Sequence, residues 1–158
     1  LACTAAGGAG GSSYPLHDLS SLSPVERARK MLAIADIRNN EAWQTAHPDE
    51  TEQQLQQAAA AASPFLSEPG GIIGLSRQFE ARSHHDSYDR LPQLQLPVLV
   101  CGGRYDGQAS PEVVENLQRR IPGAEIRFFA GGHQFLNEDP EASKTAVEFL
   151  QHQCQTTP

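Results

Sequence analysis

Pro97-Val98-Leu99-Val100-Cys101-Gly102-Gly103 and, further on, Ile126-Arg127-Phe128-Phe129-Ala130-Gly131-Gly132 are the stretches that decide the fold. The first is a continuous apolar run between a proline and two glycines, the pattern of a strand buried on both faces. The second reads as another strand, again closed by a glycine pair. Between them Ser110-Pro111 opens a helix carrying Val113, Val114, Leu117 and Ile121 on one face, and Pro122-Gly123 ends it. Strand, helix, strand is a βαβ crossover, which predicts parallel strands. Asp139-Pro140 starts a last helix with Ala142, Ala146, Val147 and Leu150 inward. No internal repeat interrupts this order. The fold class is α/β.

Working outward, the opening Leu1-Ala2-Cys3-Thr4 is short and apolar and reads as the end of a buried strand entering a loop. The glycines from position 7 to 11 make a surface loop; neither Gly-x-Gly-x-x-Gly nor a Lys-Ser/Thr ending is present to cradle a phosphate. Ser23-Pro24-Val25-Glu26 is a capping box with proline at the first helical position. Val25, Ala28, Met31, Leu32 and Ala35 follow at helical spacing. Asp49 is placed to cap a second helix with Leu55, Ala58, Ala59 and Ala62 as its stripe, ended by Ser63-Pro64. After Pro69-Gly70-Gly71, Ile72, Leu75, Ser76 and Phe79 predict a third, with a polar tail over 84–90. Three parts are expected: 1–13, a strand end and loop; 14–90, a helical unit; 91–158, strands and helices of the core.

Composition narrows the function classes. The chain has 158 residues and a net charge of −7, with no stretch that gathers Lys or Arg, which argues against nucleic-acid binding. No apolar run approaches the roughly 18 residues of a membrane span. Cys3, Cys101 and Cys154 are an odd set without paired spacing, so neither a disulfide framework nor a zinc site is expected, and a reducing cytoplasmic setting is.

Chemistry is expected just past the carboxyl ends of the strands, where open parallel sheets hold their functional groups. Asp106 lies in the loop after the first strand and His133 in the loop after the second, 27 residues on. Both are expected at one sheet edge. A carboxylate accepting from one imidazole nitrogen orients the ring and stabilises the imidazolium, freeing the other nitrogen to take a proton. His84, His85, Asp86 and Asp89 read as a solvated helix end rather than a metal cluster. Trp43, Phe79 and Tyr88 read as packing residues, while Phe135, beside His133, is expected to touch substrate.

The stretch 96–150, with its Gly-x-x-Asp loop and later Gly-His loop, resembles the C-terminal part of an α/β-hydrolase. With the Leu-Ala-Cys-Thr opening, the whole chain is similar to the C-terminal portion of 3-oxoadipate enol-lactone hydrolases. The resemblance implies a partial parallel sheet with flanking helices, residues 14–90 forming a helical cap inserted before the Asp strand. It implies hydrolysis of an ester, lactone or similar carbon-centred bond in a small-molecule substrate, without cofactor, using Asp106 and His133 as triad acid and base. An Asp nucleophile acting on epoxides or halides is the alternative within the fold. A non-catalytic fragment or binding module is the alternative outside it. The departure is the nucleophile: this fold carries it before the acid in Gly-x-Ser-x-Gly, and no such pentapeptide occurs here. Gly10-Gly11-Ser12-Ser13 matches only its first half. The expectation is an inactive chain whose nucleophile and oxyanion donors lie upstream, with an open sheet edge at residues 1–4 prone to self-association.

Overall fold

A computed structural model describes residues 1–156. Strand β1 (Leu99–Gly103) is buried along its whole length and pairs in parallel with β2 (Glu125–Phe129), Leu99 beside Glu125 through Gly103 beside Phe129. On the other flank of β1, Ala2 pairs in parallel with Val100 through two bonds, Ala2 N to Leu99 O at 2.9 Å and Cys101 N to Ala2 O at 2.8 Å. Helix α5 (Pro111–Arg120) returns the chain from β1 to β2, making the expected crossover. Val114, Leu117 and Ile121 press it on Val100 and Ala6. Fully burying one such leucine is worth about 2 kcal/mol.

The opposite face of the sheet packs Leu99, Cys101 and Phe129 against Phe135 of α6 (Phe135–Glu138) and Ala142 of α7 (Pro140–Thr156). The inward stripe of α7 is Ala142, Ala146 and the half-buried Phe149, spaced four and three residues apart; Val147 and Leu150, expected inward, sit on the neighbouring stripe and are exposed. Strand β2 alternates: Ile126 and Phe128 turn to the core, Glu125 and Arg127 to solvent.

Four helices fill the stretch before β1: α1 (Pro24–Ala35), α2 (Glu41–Ala46), α3 (Pro48–Ser67) and α4 (Gly71–Ser83). The capping box forms at Ser23 and Glu26, with Glu26 N to Ser23 Oγ at 3.3 Å and Ser23 N to Glu26 Oε2 at 3.0 Å. Helix α3 starts at Pro48, ahead of Asp49, and it runs through Pro64 instead of ending there. The missing proline N–H frees the carbonyl of Ala60, which is an exposed residue and can bond water instead. Ala58, Ala59 and Ala62 are exposed and Leu55 half-buried, so the expected apolar stripe covers little core. The small core of this segment joins Leu16 and Leu19 of a short 3-10 turn to Ile34, with Met31 and Phe79 at its margin. Among the described residues, no helix is long and apolar enough to cross a membrane.

Candidate active site

The two strand-end loops are clamped together by their backbones. Arg104 N donates to Phe129 O and Tyr105 N to Gly131 O, each at 3.0 Å. The approach is so close that a Cβ on Gly103 would stand 2.1 Å from the Gly132 carbonyl oxygen. Glycine is required there by contact, not by an unusual backbone angle.

Within this clamp Asp106 is 4% exposed. Its Oδ1 accepts from Gln108 N at 2.7 Å and Ala109 N at 3.0 Å, closing its own turn. Its Oδ2 accepts from His133 Nδ1 at 3.0 Å. Three donors thus hold the carboxylate, and the carboxylate in turn holds the ring. The His133 side chain is 36% exposed, and the Asp106 contact is its one side-chain hydrogen bond among the described residues, which leaves Nε2 for a reacting partner.

The backbone of the histidine loop is tied to the helical segment. His133 N donates to Ala35 O at 2.6 Å, Gly107 N to Ile34 O at 3.0 Å and Ile37 N to Tyr105 O at 2.9 Å. The carboxyl end of α1 therefore docks on both loops at once, using carbonyls that a helix end leaves free. Asp36 supports this dock: its carboxylate grips Arg38 Nε at 2.9 Å, and the Arg38 guanidinium lies 4.1 Å over the Tyr105 ring. Burial pushes the Asp36 carboxyl up, but the hydrogen bonds and charge of Arg38 outweigh it and hold it low.

His133 lines a cavity of about 380 Å³ with Cys3, Ser12, Ser13, Gln78, Arg82, His85 and Gln108 among its walls. Arg82 Nη2 donates to Ser13 Oγ at 2.9 Å and to the Tyr14 carbonyl at 3.4 Å. Sequence reading missed Cys3, Arg82 and Gln108 as wall residues; Arg82 lies in the last turn of α4, where only chain folding brings it opposite His133. Phe135 is not on the wall. It is buried and stacks on Phe129, ring centroids 5.8 Å apart, beneath the histidine loop. Trp43 stacks on His47, and Tyr88 packs against the core under Arg120. His84 Nδ1 meets the Glu80 carbonyl and Asp86 accepts from Tyr88 N. Among the described residues no three acidic, histidine or cysteine side chains gather as a metal site would require.

The geometry is that of a partial α/β-hydrolase fold, and solved structures agree. The chain is similar to the enol-lactonase from Burkholderia xenovorans LB400, with a TM-score of 0.59 and 20% identity over 87% of this chain and 48% of that one. It is similar also to a thermophilic esterase from Thermogutta terrifontis solved with malate bound, with a TM-score of 0.57 and 25% identity over 88% of this chain and 48% of that one. The chain spans about half the length of these two structures. No family model matches it, and no curated protein does.

Proposed function

We propose that this chain supplies the acid and base of a hydrolase acting on an ester, lactone or similar carbon-centred bond of a small molecule, with residues 14–90 as the cap over the site. The observation that carries the reading is the 3.0 Å contact between buried Asp106 and a cavity-lining His133. In the proposed cycle Nε2 takes the proton of an attacking hydroxyl, and Asp106 stabilises the imidazolium and keeps the ring in register. The same nitrogen then returns the proton to the leaving oxygen, and water repeats the sequence on the acyl intermediate. The nucleophile is assigned to a segment outside residues 1–158, because no serine hydroxyl among the described residues hydrogen-bonds His133.

A second observation narrows the substrate. The cavity wall carries Arg82, His85 and His133 but no Asp or Glu, in a chain of net charge −7. Arg82 makes no ion pair among the described residues, and with Nη2 engaged by Ser13 and Tyr14 its Nε and Nη1 are left to meet a carboxylate. The bound malate of the Thermogutta terrifontis esterase is in keeping with an anionic ligand in this fold. An ester or lactone bearing a carboxylate fits best.

The test uses the longest natural protein that contains residues 1–158, assayed on paired neutral and carboxylated esters. His133→Ala and Asp106→Asn are each expected to lower kcat by about 10⁴-fold or more. Unchanged kcat in either removes that residue from the machinery. Arg82→Gln is expected to raise KM for the carboxylated ester and leave the neutral one alone. Chain 1–158 by itself is expected to show no turnover; a saturable rate lost in Ser12→Ala would move the nucleophile into this chain.

A further inference from the structure

Cys3 and Cys101 lie 98 positions apart in the chain and side by side in the fold. The Ala2–Val100 pairing is parallel, so the two strands advance in step and the next residues, Cys3 and Cys101, share one face. Neighbouring strands run about 4.8 Å apart, inside the roughly 4.4–6.8 Å Cα separation that a disulfide spans. Both cysteines are free thiols here. Their surroundings differ in the way an attacking and a resolving thiol differ. Cys3 is exposed and lines the cavity beside His133, while Cys101 has no exposed surface.

We propose that Cys3 and Cys101 are a reversible dithiol, oxidised by a low-molecular-weight disulfide entering the cavity. The Cys3 thiolate attacks one sulfur of the small disulfide, forming a mixed disulfide and expelling one thiolate. The Cys101 thiol then loses its proton and attacks the Cys3 sulfur. That closes the Cys3–Cys101 bond and expels the second thiolate. The two protons released by the cysteines leave on the two small thiols, so atoms and electrons balance: one disulfide is reduced and one is made.

The electrostatics suit this order. The neighbouring Cys101 side chain lowers the Cys3 thiol to about 7 against the opposing effect of burial, so about half of Cys3 is thiolate at pH 7, well above an ordinary cysteine. Cys101 is pushed up, first by Cys3 and then by burial. Once Cys3 is capped its negative charge is gone, and the largest influence holding the Cys101 proton in place goes with it. The mixed disulfide occupies the cavity at His133; the closed bond clears it.

The longest natural protein that contains residues 1–158, carrying Cys154→Ser to remove the exposed third thiol on α7, is incubated with oxidised glutathione and followed by peptide mapping and mass spectrometry. The expected product has lost two hydrogens and maps to a Cys3–Cys101 crosslink. A persistent glutathione adduct on Cys3 with Cys101 intact overturns the proposal, as does no reaction. Adding Cys101→Ser is expected to trap the adduct on Cys3. Should that core variant not fold, the crosslink map of the Cys154→Ser chain decides alone. Iodoacetamide labelling of Cys3 is expected to rise with pH to half its maximum near 7. A midpoint near the ordinary 9.0 contradicts the pairing of the thiols.

Discussion

Residues 97–156 and the helical stretch before them are built on opposite terms. In the first, every residue of β1 is buried and α5 and α7 each hold a buried apolar stripe to the sheet. In the second, α3 buries only Thr51 among its described side chains, and Ile72 at the start of α4 is 70% exposed. Yet the sparsely packed region supplies the carbonyls of Ile34 and Ala35 that hold both loops of the candidate site. Packing density and proximity to the chemistry are separable properties of this chain. The core fixes where Asp106 and His133 emerge, and the end of one lightly held helix seats the loops.

Graded substitutions read by denaturant unfolding sharpen or break this contrast. The largest cost is expected for Gly103→Ala, about 4 kcal/mol, because the new methyl meets backbone that cannot swing aside. A cost under about 1 kcal/mol means the loops separate easily. Leu117→Ala, removing buried volume under β1, is expected to cost about 3 kcal/mol. Asp36→Asn is expected to cost only about 1 kcal/mol, since Arg38 is half exposed and solvent screens the pair. Its pH dependence has a definite sign. The folded Asp36 carboxyl is held below its ordinary 3.8, so its stabilisation is complete above that value and is lost as pH falls through the lower folded one. The gap between wild type and Asp36→Asn should therefore close below about pH 3.8, and a gap that persists there rules the ion pair out as its source. Smallest of all, Ile72→Ser on exposed α4 is expected to stay within about 0.5 kcal/mol; a larger loss would mean that this face is covered.

Legibility follows the same divide. β1, α5, β2 and α7 were readable because continuous apolar runs and Ser-Pro or Asp-Pro starts are local signals, and the order of the loops was enough to bring Asp106 toward His133. The α7 stripe was misread by one residue, since Val147 and Leu150 are as apolar as the residues that pack. Helix α2 escaped notice because six residues are too few to show a period. Pro64 misled because a local steric rule was applied where an exposed helix can tolerate the break. The dock of α1 left no trace at all: it is made by backbone groups, which every residue carries alike. The Cys3–Cys101 pairing depends on strand register across nearly the whole chain, which residue spacing does not encode.

The amide of His133 and the amide of Gly107 both donate to the last turn of α1. Neither can trade its proton for deuterium until that turn lets go. The two amides sit on different loops, yet they should exchange at one shared pace, set by the fraying of a helix end in another part of the molecule. The residence time of α1 on the loops is thereby written into two resonances, and it can be timed without any substrate.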